Sequence, residues 1–226
     1  MSAGAALMIR CVGFDFDGTL VQSNAIKRQA FYQTARLLGD GLDALVDDVL
    51  RDVRGDRYAI LRELAVRAAA RGPLPASPGE RAWPERLADE YTRICEDEIA
   101  RCPVVPGALE ALEALGRRGC ALFINSATPT APLVAVVARR GLNRHFRAVL
   151  GNDAGKIENL RHGLALAGAT PDELLFVGDG EADRAAAEAI GCRFVGVSNE
   201  FSDFRKPPAH VVADLHGLDA YVERLT

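Results

Sequence analysis

Asp15 and Asp17 stand two positions apart, directly after the apolar run Leu7–Phe14, and are followed by Gly18 and Thr19. On a continuing strand both carboxylates would point to one face and Phe16 to the other. Carboxylates crowded in this way raise one another's pKa unless a cation sits between them. Asp179 and Asp183 lie one helical turn apart if a helix starts in their loop, which would stack them on one face. An all-oxygen set of this kind suits a hard divalent ion such as Mg²⁺. Lys156 supplies a movable positive charge able to hold both a phosphate and a carboxylate. Ser126 adds a hydroxyl, and the backbone N–H groups around Ser126 and Ala127, at a strand-to-helix turn, suit anionic oxygens. Together these groups can transfer a phosphoryl group. One carboxylate attacks phosphorus to give an aspartyl-phosphate, while the other protonates the leaving oxygen and then activates water.

Each residue taken alone has a plainer explanation. Asp-Gly is a turn pair, Ser126 fits the N-cap of a helix beginning near Pro129, Lys156 fits a surface lysine, and Asp179 and Asp183 fit helix-start carboxylates. What they share is placement. Asp15 and Asp17, Asn125 to Thr128, Asp153 to Lys156, and Gly178 to Asp183 each follow an apolar run, and ligands of an open parallel sheet bind beyond the carboxyl ends of its strands.

The elements that must position these residues are legible from the hydrophobic pattern. The first strand ends at Phe14, and further strands are expected at Ala121–Ile124, Ala148–Leu150, Leu174–Val177 and Phe194–Val197, with one more at His210–Val212. Helices of about ten residues alternate with them, the signature of βαβ units. Gly119, Gly141, Gly168 and Gly191 stand where helices should end, and Thr170-Pro171-Asp172-Glu173 reads as a capping box with proline at the first helical position. From about Asn24 to Arg101 the spacing is helical without a convincing strand, apart from a proline-rich surface loop at Gly72–Gly79. The expected fold class is therefore α/β, a doubly wound parallel-sheet core of residues 1–20 and 104–226, with an all-helical second domain over 21–103.

Composition narrows the partners. Across 226 residues, 49% are hydrophobic and 26% charged, and 27 Lys plus Arg against 31 Asp plus Glu leave a net charge of −4. Such a chain buries its own core and offers no sequence-wide attraction to nucleic acid or an anionic membrane, so neither is an expected partner. The five cysteines, Cys11, Cys95, Cys102, Cys120 and Cys192, have no CxxC spacing, and with no export signal or membrane-spanning run in view a reducing cytoplasm is expected. Cys11, Cys120 and Cys192 read as small buried side chains, Trp83 as a packing anchor of the helical segment, and the four histidines show no metal-ligand spacing.

The motifs resemble those of the haloacid dehalogenase superfamily, in particular its phosphatases with an inserted helical cap, of the phosphoglycolate phosphatase and β-phosphoglucomutase-like kind. Asp15-Phe16-Asp17-Gly18-Thr19-Leu20 resembles the first motif, DxDGT. Phe123-Ile124-Asn125-Ser126 resembles the second, an apolar strand ending in Ser or Thr; Asn125 leaves a one-residue ambiguity, and Ser126 is preferred for its hydroxyl. Gly155-Lys156 is similar to the third, and Gly178-Asp179 with Asp183 to the GDxxxD form of the fourth. The resemblance implies that Asp15 is the nucleophile, Asp17 the general acid/base, and that Mg²⁺ is held by the Asp15 side chain, the Asp17 backbone carbonyl and Asp179, with Asp183 closing the site directly or through water. It also implies a cap that excludes water and selects a small phosphorylated metabolite. Asn24, Lys27 and Arg57 are candidate substrate contacts there, with Arg28 beside them.

The resemblance leaves the substrate and the oligomeric state open, and no residue separates a phosphatase from a phosphomutase of the same superfamily. Dehalogenation fits less well, because halide departure needs neither Asp17 nor a metal. A phosphonate-cleaving enzyme would need a Schiff-base lysine in the cap, where Lys27 is the only lysine. A binding protein that has lost activity would need a damaged motif, and the motifs are whole.

Overall fold

The computed structural model of the chain describes residues 8–76 and 82–225, and these form two compact units. One is the helical segment Asn24–Ile99, and the other is the rest of the described chain on either side of it.

The helical unit has α1 (Asn24–Ala35), α2 (Asp43–Asp52), α3 (Arg57–Ala69) and α4 (Trp83–Ile99), with α4 packed on both α1 and α3. Its core gathers the apolar faces of all four, including Phe31, Leu45, Leu61, Leu64 and Leu87, and the Phe31 and Tyr91 rings meet at 4.5 Å between centroids. Asp56 caps α3 by accepting the Ala59 N–H at 3.0 Å. Of the proline-rich loop expected at Gly72–Gly79, residues 73–76 carry no regular secondary structure and the part from 77 lies outside the described residues.

The second unit carries a six-stranded parallel sheet of β1 (Cys11–Phe14), β2 (Ala121–Asn125), β3 (Ala148–Leu150), β4 (Leu174–Gly178), β5 (Arg193–Val197) and β6 (Val211–Val212), in the order β3-β2-β1-β4-β5-β6. The chain winds outward from β1 to β3, then returns to the other side of β1 with β4. The switch point between β1 and β4 opens the crevice in which such sheets bind ligands. Helices α5 (Ala108–Arg117), α6 (Thr130–Arg139), α7 (Lys156–Ala167), α8 (Glu181–Ile190) and α9 (Leu218–Arg224) accompany the strands. β1, β2 and β4 are buried throughout and read as apolar runs, broken only by Asn125 at the end of β2.

Helices α7 and α8 pack together over β1, β2, β4 and β5, and one aromatic ring sets how closely α7 approaches the sheet. The β1 register places Gly13 beside Phe123 on β2 and Phe176 on β4. A Cβ at Gly13 would lie 2.6 Å from the Phe123 ring, and one at Gly163 on α7 would lie 2.3 Å from it. Phe123 is thus held between strand and helix at two positions that carry no side chain.

Several local expectations hold in detail. Gly168 and Gly191 end α7 and α8 with φ of 58° and 80°. The capping box at Thr170 forms, with the Thr170 N–H donating to Glu173 Oε2 at 2.9 Å, but it starts only a single 3₁₀ turn, Pro171–Glu173, because β4 begins at Leu174. Local capping chemistry nucleates the turn, and the buried strand pairing ends it.

Gly163→Ala should therefore lower stability by about 1–3 kcal/mol through overpacking against Phe123. Urea denaturation of the single variant and of Gly163→Ala with Phe123→Leu would check this, since the smaller side chain should restore part of the loss. Additive effects of the two changes would contradict the proposed contact.

Candidate active site

β1 ends at Phe14, so Asp15 and Asp17 stand in a turn instead of on a continuing strand. The Asp15 N–H donates to the Val177 carbonyl at 2.8 Å, and the amides of Leu20 and Val21 both donate to the Phe16 carbonyl, with Gly18 at φ 79° completing the reversal. Both carboxylates are buried, and they have different partners. Asp17 accepts the Ser23 hydroxyl on Oδ1 at 2.6 Å and the Thr128 hydroxyl on Oδ2 at 3.0 Å. Asp15 accepts the Lys156 ammonium on Oδ1 at 2.6 Å.

Lys156 opens α7 directly after Gly155, whose φ of 78° turns the chain there. Its Nζ donates to Asp15 Oδ1, to Asp183 Oδ1 at 2.5 Å and to the Asn125 carbonyl at 3.4 Å. Two asparagines orient this end of the helix. Asn125 Nδ2 donates to the Lys156 carbonyl at 2.9 Å, and Asn159 Nδ2 donates to Asn125 Oδ1 at 3.0 Å and to the Gly151 carbonyl at 2.7 Å. Asn125, at the ambiguous position of the second motif, is thus a buried holder of the lysine-bearing helix.

Asp179 follows β4, and α8 begins only at Glu181, so Asp179 and Asp183 do not share a helix face. They converge because Gly180 turns the chain and donates its N–H to Asp183 Oδ2 at 3.2 Å. Gly178 makes room for this, since a Cβ there would lie 2.4 Å from Asp183 Cγ. Asp15, Asp179 and Asp183 are all buried, and a carboxylate oxygen from each lies within 4.8 Å of those of the other two.

Burial pushes the Asp15 carboxyl up to about 7, with Asp183 and Asp17 adding to the rise and Lys156 opposing it. Asp183 is also raised, first by burial, with Lys156 opposing. Burial disfavours the Lys156 ammonium, but the two carboxylates outweigh it and hold its pKa above the ordinary lysine value. The Lys156 ammonium contacts two of the three buried carboxylates, and a divalent cation among the three would offset negative charge there. The all-oxygen donor set fits a hard cation such as Mg²⁺.

Ser126 and Ala127 stand in the turn between β2 and α6. Ser126 is buried, its N–H donates to the Leu150 carbonyl at 2.9 Å, and its Oγ accepts the Thr128 N–H at 3.1 Å. It shapes the turn before α6 without capping that helix, whose N-cap is Pro129. Ala127 is exposed at the tip of the same turn. Asn24, Lys27 and Arg57 belong to the helical unit, where the Arg57 guanidinium lies 5.2 Å and 5.7 Å from the Tyr58 and Tyr91 ring centres. Arg28 donates to Asp47 Oδ1 at 3.3 Å within that unit.

Four residues that place the catalytic candidates escaped the sequence reading, namely Ser23, Thr128 as a partner of Asp17, Asn159 and Asn199. Asn199 donates from Nδ2 to Asp179 Oδ2 at 2.8 Å. Inspecting the residues just beyond β5, by the rule used for the other strands, would have found it. Ser23 and Asn159 carry no comparable signal.

Residues 9–191 match the haloacid dehalogenase-like hydrolase family, and the chain belongs to that family. It is 32% identical over 211 residues to a phosphoglycolate phosphatase of Rhodospirillum rubrum, covering 91% of this chain and 86% of that protein. Its fold is similar to that of a protein of Haemophilus somnus described as a predicted phosphoglycolate phosphatase, with a TM-score of 0.74, 20% identity and coverage of 94% and 97% of the two chains. It is also similar in fold to CbbY of Rhodobacter sphaeroides in complex with xylulose-(1,5)bisphosphate, with a TM-score of 0.71, 18% identity and coverage of 92% and 95%. The chain is accordingly a phosphatase-type enzyme of the family.

A carboxyl whose folded-state pKa lies above its unfolded value binds its proton more tightly when folded, so its stabilisation is full below the unfolded value and is lost as pH rises through the folded one. The metal-free protein should therefore lose stability between about pH 4 and the Asp15 value near 7, more steeply than Asp15→Asn. Chemical denaturation in EDTA across that range would measure the difference, and saturating Mg²⁺ should flatten it. Parallel profiles for the two proteins would refute the assignment.

Proposed function

We propose that this enzyme hydrolyses the phosphomonoester of a small metabolite through an aspartyl-phosphate at Asp15, with Mg²⁺ as its cofactor. The observation that carries the proposal is the Lys156 ammonium bridging Asp15 and Asp183 inside a buried three-carboxylate cluster. In this reading Asp15, Asp179 and Asp183, with the Asp17 backbone carbonyl, hold the metal, which would supply charge neutralisation for the incoming phosphate.

Asp15 attacks phosphorus as the ester P–O bond breaks, and Asp17 gives its proton to the departing alkoxide. Ser23 and Thr128 hold the Asp17 carboxyl in position for this. Asp17 then takes a proton from water, whose oxygen attacks the phosphorus of the aspartyl-phosphate and releases inorganic phosphate and the Asp15 carboxylate. Lys156 keeps Asp15 oriented and balances phosphate charge, while the Ser126–Ala127 turn receives phosphate oxygens.

The helical unit is assigned the role of a cap that excludes water and selects substrate, with Asn24, Lys27 and Arg57 as its substrate contacts. The relatives' names favour a phosphorylated carboxylic acid such as phosphoglycolate within the wider class of small phosphometabolites. Five free cysteines are consistent with a reducing, cytoplasmic setting.

The test is phosphate release from a panel that includes phosphoglycolate, xylulose bisphosphate and hexose 1-phosphates, with Mg²⁺ or with EDTA. Release should require the metal and fall by roughly 10⁴-fold or more in Asp15→Asn, as loss of a nucleophile does in other covalent hydrolases. Isomerised sugar phosphate without phosphate release would instead identify a mutase, and unchanged turnover in Asp15→Asn would remove Asp15 from the chemistry.

A further inference from the structure

We infer that Asn199 is a positioning residue for the metal site, holding Asp179 in its ligating orientation and joining it to the turn that carries Asp17. The inference rests on the metal-binding reading above. Asn199 lies two positions beyond β5, half-buried, and its Nδ2 donates to two acceptors, Asp179 Oδ2 at 2.8 Å and the Gly18 carbonyl at 3.2 Å. The first acceptor stands after β4 and the second after β1, on the two sides of the topological switch point. One amide group therefore ties together the two loops that supply the carboxylates.

The orientation of that amide follows from its neighbours. Asn199 Oδ1 accepts the Phe201 N–H at 2.8 Å, a group that can only donate. A carboxylate and a carbonyl can only accept from the other side, so the NH₂ must face Asp179 and Gly18. The loop carrying Asn199 is itself braced. The Asn199 N–H donates to Ser202 Oγ at 3.0 Å, and that hydroxyl donates to the Val197 carbonyl at 3.2 Å. Farther along, Asp203 Oδ1 accepts the Glu181 N–H at 2.7 Å, and the Arg205 N–H donates to Glu181 Oε2 at 3.1 Å. The segment after β5 is thus fastened to the start of α8 beyond Asp179, while Asn199 fastens it to Asp179 itself.

An outer-shell donor of this kind fixes the rotamer of a metal-binding carboxylate, and its removal typically weakens metal affinity by about 10–100-fold. The test uses full-length protein stripped of metal, with Mn²⁺ titrated and followed by electron paramagnetic resonance. Wild type is compared with Asn199→Ala, Asn199→Leu and Asp179→Asn. The leucine fills the asparagine's volume without a donor, which separates lost packing from a lost hydrogen bond.

The expected result is Mn²⁺ binding weakened about 10–100-fold in both Asn199 variants. Their unfolding midpoints in EDTA should stay near that of wild type, and kcat should recover at saturating Mg²⁺. If Asp179→Asn abolishes binding while the Asn199 variants bind as wild type does, this inference fails and the metal site stands. If wild type itself binds no Mn²⁺, both readings fall. A loss of folding in EDTA by both Asn199 variants would make the residue structural and would also overturn the inference.

Discussion

The site depends on one buried contact, the Lys156 ammonium between Asp15 and Asp183. The side chains of these three residues are 14%, 8% and 4% exposed, so water does little to screen them. Removing one partner from such a group leaves an uncompensated charge and typically costs about 3–5 kcal/mol. The surrounding structure is arranged to keep the ammonium in place. Gly155 turns the chain so that Lys156 begins α7, Asn125 grips the lysine's carbonyl, and Asn159 grips Asn125. Burial first, and then the neighbouring carboxylates of Asp183 and Asp17, drive Asp15 toward its neutral form against the pull of the ammonium.

Close approach of backbone and side chain makes this geometry reachable. The Asp183 carboxylate lies against Gly178, where any side chain would displace it, and α7 comes near β1 and β2 because Gly13 and Gly163 leave space for the Phe123 ring. The packing that seats α7 on the sheet is therefore also the packing that delivers Lys156 to Asp15. Stability and chemistry share the same residues, since a shift of α7 would move the ammonium as well as the ring.

Much of this was legible in the sequence because it depends on order along the chain. Apolar runs, glycines after helices and acidic residues after strands are local signals, and they placed Asp15, Lys156, Asp179 and Asp183 on one rim. Reasons for individual contacts were less accessible. Asp179 and Asp183 meet through the turn at Gly180 and the gap at Gly178, not through helical spacing, and Asp17 is held by Ser23 and Thr128, which are far apart in sequence. The capping box at Thr170 and the strand from Leu174 were both legible, and the one leaves room for only a single turn before the other begins. Asn159 serves through a partner 34 positions away, a relation that no spacing encodes.

The contrast between the two units explains why reaction type is easier to read than substrate. In the α/β unit, functional groups must stand at strand ends, so the fold restricts their positions to a few short loops. In the helical unit, a charged residue on an amphipathic helix has several uses of equal chemical merit. Arg57 lies over Tyr58 and Tyr91, and Arg28 pairs with Asp47, so both side chains already have partners within their own unit. An arginine engaged on aromatic faces still presents its charge and fork of donors to an anion, and its held position lowers the entropy lost when one binds. Arginines held within the helical unit in this way leave no sequence motif, whereas the candidate site residues of the α/β unit leave one because the sheet dictates where they stand.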